Sequence, residues 1–182
     1  GEEAFQQAQR LAPESGLGSI GLASTLMQMG LADDAAEILR EQLAISGPDP
    51  KAELTLVRAL LLKDSSPDEK REAAGLLHRV LKQEPANAAA HGLLGKVYFQ
   101  LGDLGNATTE LAEAIRLNPT DRTATYQLMR IHQQSGRVKE AAELAVRIRA
   151  LSDQERADDD TGNRFHAVRE EAPVSRSLSI AH

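Results

Sequence analysis

Leucine stands at positions 22, 56, 94 and 128, and alanine at 35, 73, 107 and 141. Successive intervals are 34, 38 and 34 residues for the leucines and 38, 34 and 34 for the alanines. A chain that returns to the same large and small apolar residues at such an interval folds as stacked units, because one unit of that size buries its apolar face only against its neighbours. The period thus restricts the architecture to a row of similar bricks before any secondary structure is assigned.

Composition says what the bricks are made of. Aromatic residues are 3% of the 182, Trp is absent, and Ala, Leu, Glu, Arg and Gln dominate. These are helix formers, so the expected fold class is all-α. The net charge of -6 supplies no basic footprint for phosphates, and nucleic acid is not an expected partner. The lack of cysteine excludes disulfides, thiolate metal sites and cysteine nucleophiles. No apolar run approaches the roughly 20 residues that span a bilayer, and residues 1 to 15 show no signal-peptide pattern. The chain therefore reads as soluble, with the compartment open between cytoplasmic and periplasmic or exported.

Aligned as 16–49, 50–87, 88–121 and 122–155, the units repeat internally. The third carries Leu94-Gly95, Tyr98, Gly102, Ala107, Leu111, Ala114 and Pro119; the first carries Leu22, Ala23, Leu26, Gly30, Ala35 and Leu39; the fourth keeps Leu128, Gly136, Ala141 and Ile148 but has His132 where the third has Tyr98, and is degenerate toward its end. This pattern resembles the tetratricopeptide repeat, a helix-turn-helix hairpin of about 34 residues. The resemblance implies a right-handed α-solenoid, or superhelix, of about four hairpins. Small residues at positions such as Gly95 and Ala107 suit close approach of the paired helices. Gly30, Gly102 and Gly136 are expected to end the first helix of their hairpins in the left-handed region, and Pro85 and Pro119 to punctuate the exit from the second.

The second unit is four residues longer than the others. Ser66, Pro67 and Glu69 form the pattern of a capping box with proline at the first helical position, which predicts an early start for the second helix rather than a floppy loop. Phe5, Ala8 and Pro13 continue the register upstream, so residues 1–15 are expected to be the second helix of a truncated preceding repeat in a fragment of a larger protein. Beyond Glu155 the period stops, and 156–182 read as a C-terminal tail with an acidic run at Asp158, Asp159 and Asp160.

In the tetratricopeptide family the first helix of each hairpin lines a concave groove. Helical geometry, at about 100° per residue, places Ser24, Arg58, Lys96 and Arg130 opposite the positions that pack on the second helix. One further turn position reads Met27, Leu61, Phe99 and Gln133. A basic column beside an apolar one suits a peptide or protein segment with acidic groups and an apolar anchor, completed by Gln100, Tyr126 and Gln134. The resemblance also raises the clamp by which some of these modules hold a C-terminal carboxylate. The matching positions, Ile20, Ser24, Thr55, Ala89 and Leu93, or Leu54, Arg58, Leu93, Thr123 and Gln127, do not carry its residues, so a co-chaperone role is not expected.

No catalytic arrangement is expected. His78, His91, His132, His166 and His182 show no metal-ligand spacing, no serine lies in a nucleophile elbow, and no cofactor is implied. The expected role is a non-enzymatic protein-interaction scaffold. Rival readings are an accessory region of a larger enzyme or of an envelope or transport assembly, and self-association through the open first repeat or the tail. A further expectation is that the acidic run occupies the basic groove of its own or a neighbouring chain.

Overall fold

The computed structural model describes residues 16–62 and 64–170, with the side chains of residues 16, 17, 155 and 158–170 outside that description. Phe5, Ala8 and Pro13 fall outside it. Among the described residues every regular element is helical: α1 (Gly16–Gln28), α2 (Ala32–Ser46), α3 (Pro50–Leu60), α4 (Pro67–Gln83), α5 (Ala88–Gln100), α6 (Leu104–Leu117), α7 (Arg122–Gln134) and α8 (Val138–Glu170). Each helix packs on the next along the chain, giving four hairpins stacked as an α-solenoid. The odd-numbered helices form one wall, in which α1 meets α3 and α5 meets α7, whereas α3 and α5 approach each other less closely.

The recurring small and large residues are the ones that disappear from solvent. Ala35, Ala73 and Ala107 are fully buried beside Leu39, Leu77 and Leu111. Each such leucine contributes about 1.5–3 kcal/mol of transfer free energy. The tightest approach is at Gly95, where an added Cβ would stand 2.6 Å from Leu111 Cγ and 3.1 Å from the Leu111 backbone nitrogen. The buried side chains divide into two clusters, one built from α1–α5 and one from α6 and α7, with Tyr98 packed against both.

Three of the first-helix ends are closed in the same way. Gly30, Gly102 and Gly136 have φ of 80°, 82° and 69°. The residue after each glycine donates to the carbonyl five positions back: Leu31 to Leu26 at 2.9 Å, Asp103 to Tyr98 at 2.9 Å and Arg137 to His132 at 2.8 Å. This is the Schellman arrangement, which satisfies carbonyls left open at a helix end. The second hairpin has no such glycine. There Ser65, itself buried, donates its hydroxyl to the Leu60 carbonyl instead.

The longer second unit is accommodated in α4. Ser66 N donates to Glu69 Oε2 at 2.7 Å and Glu69 N to Ser66 Oγ at 3.2 Å, with Pro67 opening the helix. Pro67 precedes Ala73 by six residues, whereas Leu104 precedes the equivalent Ala107 by three. The helix therefore starts about one turn early, and Ala73 and Leu77 keep their inward direction.

Glu53 of α3 is fully buried, and its Oε1 lies 2.9 Å from Nη2 of Arg79 on α4, whose side chain is 55% exposed. The contact is an ion pair rather than a well-aligned hydrogen bond. Burial pushes the Glu53 carboxyl above its ordinary range, and the charge of Arg79 opposes that shift.

His132 is buried on α7 and its Nδ1 has no hydrogen-bond partner. Burial lowers its pKa, the nearby Arg137 lowers it further, and Glu140 partly counters both. A histidine depressed in the folded state contributes stability that is complete above about pH 6.5 and is lost as the pH falls through the folded value. His132→Phe is therefore expected to lose less stability than the native chain on acidification below that point, a difference read from urea midpoints of the two proteins at matched pH. Glu53 acts with the opposite sign, so the comparison between the two proteins, not the absolute trend, carries the result.

The repeat pattern ends at Glu155, but the helix does not: α8 continues unbroken to Glu170. The segment expected to be a tail is therefore helical in its first part. The acidic run at Asp158, Asp159 and Asp160 lies within that helix. A continuous helix cannot turn back into the chain's own groove, which removes that half of the expectation and leaves a neighbouring chain's groove.

Candidate binding cleft on the inner wall

Where α3 and α5 diverge, the wall of odd-numbered helices opens into a cleft of about 250 Å³. Arg58 lines it from α3, Ala89, Gly92, Leu93 and Lys96 from α5, and Thr123, Ala124 and Gln127 from α7, with Asp121 at the edge of α7. The positions follow from local structure. Asp49, Asn87 and Asp121 are the N-caps of α3, α5 and α7, accepting from the amides of Ala52 at 2.8 Å, Ala90 at 3.0 Å and Ala124 at 2.9 Å. These equivalent caps start the three helices in one register. Among the described residues neither Arg58 nor Lys96 forms an ion pair.

Residues 68–122, which include α5, α6 and all of α4 but its first residue, match the tetratricopeptide repeat family. That stretch carries the tetratricopeptide repeat. No curated protein is significantly similar to it in sequence. Among solved structures it is similar to the crystal structure of MamA, at 22% identity over 85% of this chain and 88% of that one, with a TM-score of 0.73. It is similar also to TTC0263, a thermophilic protein of the same repeat class from Thermus thermophilus, at 21% identity over 81% and 86% of the two chains and a TM-score of 0.63. These likenesses establish the α-solenoid. Tetratricopeptide solenoids are in general protein-interaction scaffolds, whose curvature gives an extended concave surface.

On this tetratricopeptide frame the sequence-derived site residues separate into groups. Arg58 and Lys96 share the cleft. Arg130 does not line it; its guanidinium stands over the Phe99 ring, 5.1 Å from the centroid, as a cation–π pair one turn further along. Tyr126 is 48% exposed and lines an adjoining depression with Asp121, Thr123 and Ile148. Met27 is half-buried against the core, while Gln100, Gln133 and Gln134 are exposed at helix ends, away from the cleft.

Leu61 is 8% exposed and belongs to the core cluster. The reason is that α3 ends at Leu60, and Leu61, with φ of -95° and ψ of 2°, leaves the helical path and turns inward. An equivalent position in sequence is thus not an equivalent position on the wall. Gln127, Leu93 and Thr123, which occupy positions compared above with the carboxylate clamp, line the cleft, whereas Asp121 has no counterpart among the positions read from the sequence. A signal existed for Asp121, since an acid or amide precedes each of α3, α5 and α7, but capping explains it without a second role.

His78 and His91 have structural partners. His78 Nε2 meets Tyr98 Oη at 2.9 Å, and His91 places Nδ1 2.7 Å from Glu110 Oε2 and Nε2 3.0 Å from the Pro85 carbonyl. His166 and His182 lie outside the described side chains. Among the described residues no group of three His, Asp or Glu is placed to hold a metal ion, and no helix is long and apolar enough to cross a membrane.

Proposed function

We propose that this chain is a protein-interaction scaffold that holds a peptide or protein segment in the cleft of its inner wall. The observation that supports the reading is the pairing of Arg58 and Lys96, both without ion-pair partners among the described residues, around one cleft floored by Ala89, Gly92 and Leu93. Exposed ion pairs contribute about 0–1 kcal/mol each, whereas micromolar affinity requires about 8 kcal/mol. Apolar burial must therefore supply most of the affinity, and the charges set orientation and encounter rate. Leu93 in the cleft is the anchor this reading selects, with the half-buried Phe99 beside Arg130, one turn beyond the cleft, as a second contact. Phe99→Ala is expected to weaken partner binding more than Lys96→Ala does, measured by calorimetric titration of the captured partner. A pull-down comparing the native chain with Arg58→Glu, Lys96→Glu and Arg130→Glu combined tests the groove itself. A partner retained equally by both proteins excludes it.

Self-association is a second reading, favoured by the strong exposure of Val138 and Val146 on α8. Sedimentation at increasing concentration tests it, and an unchanging monomer would remove it.

A further inference from the structure

The cleft is not uniformly basic. Arg58 and Lys96 face it from α3 and α5, but α7 brings the carboxylate of Asp121, with the amide side chain of Gln127 beside it. Asp121 commits Oδ1 to capping Ala124 N, while Oδ2 points across to α5, 3.7 Å from where a Cβ on Gly92 would stand. Gln127 Oε1 is buried and has no hydrogen-bond partner. Neither cation is paired with Asp121. Cations and acceptors thus stand on opposite sides of one cleft without neutralising each other.

We propose that the cleft recognises a bipolar stretch of polypeptide, in which an acidic side chain meets Arg58 and Lys96 and a neighbouring Lys or Arg side chain donates to Asp121, beside Gln127. A segment with acids alone would set a second carboxylate against Asp121. A terminal carboxylate with no donor beyond it fails in the same way. Specificity here comes from what the α7 side repels as well as from what the α3 side attracts. The proposal rests on the groove reading above and refines its chemistry.

The test is selection of short, terminally capped peptides from a random displayed library against the full chain, followed by fluorescence anisotropy of the enriched sequences. Enriched peptides are expected to carry Asp or Glu within one helical turn of Lys or Arg, and neutralising either charge should weaken binding roughly tenfold. Gln127→Lys should shift the selection toward acid-only peptides. Gln127→Glu, which preserves size and polarity, should sharpen the demand for a base. Enrichment of acid-only peptides by the native chain, with binding lost in Arg58→Glu, overturns the bipolar proposal and leaves the groove reading standing. No enrichment, or enrichment indifferent to Arg58→Glu and Lys96→Glu, overturns both.

Discussion

Arg79→Ala is expected to destabilise the protein by about 3 kcal/mol near neutral pH, because it strands a buried carboxylate. Glu53 is fully buried between α3 and α4, and Arg79 is its ion-pair partner at 2.9 Å. Losing one member of a buried pair generally costs about 3–5 kcal/mol, and the half-exposed Arg79 places this pair at the lower end, since water can follow the truncation. The penalty should depend on pH. Burial already raises the Glu53 carboxyl, and the opposing influence is the charge of Arg79, so the substitution raises it further. A carboxyl whose folded pKa exceeds its unfolded value adds stability below the unfolded value and loses it as the pH rises through the folded one. Urea unfolding of Arg79→Ala should therefore show a larger deficit near pH 8 than near pH 5. Glu53→Gln in the same background should recover much of the loss and flatten that dependence. A deficit that is small and independent of pH would show that the pair is solvated and contributes little.

Gly95→Ala is expected to cost about 1–2 kcal/mol although alanine is the better helix former. The new methyl would press on Leu111 Cγ at 2.6 Å, and the Leu111 backbone nitrogen behind it at 3.1 Å prevents a simple side-chain escape. Overpacking of this kind costs about 1–3 kcal/mol, against a propensity gain of about 1 kcal/mol. Gly75 in α4 provides the contrast, since nothing lies within 4 Å of its added Cβ. Gly75→Ala should stabilise by up to about 1 kcal/mol. Leu111→Ala alone should cost about 2–5 kcal/mol, and combined with Gly95→Ala the total should fall short of the sum, because the methyl enters the vacated space. Equal shifts for the two glycine substitutions in thermal melts would refute the close approach of α5 and α6.

What the sequence made legible was whatever depends on period and local chemistry. The spacing of Ala35, Ala73 and Ala107 gave the buried seam, the glycines gave three helix ends, and Ser66, Pro67 and Glu69 gave the early start of α4. Other features depend on where helices stop and how far apart they stand, which a repeating pattern does not encode. Leu61 shares a sequence place with Phe99, yet the end of α3 sends it into the core. Arg130 shares a place with Lys96, yet it settles on the Phe99 ring. Asp121 enters the cleft only because α7 stands beside the gap between α3 and α5. The Glu53–Arg79 pair was hidden because both residues are of types normally found on helix surfaces. The helical course of α8 past Glu155 was hidden because a helix persists after the apolar repeat that announces it has ended.

The looser approach of α3 to α5, compared with α1 to α3 and α5 to α7, gives the molecule a seam between its second and third hairpins. In a solenoid each block leans only on its neighbour, so such a seam is where amide protection should drop stepwise and where the row opens first under load. The cleft straddles it, with Arg58 on one bank and Gln127 on the other. Any occupant touching both would rivet the two blocks together, so the grip on a guest and the stiffness of the host would rise as one quantity.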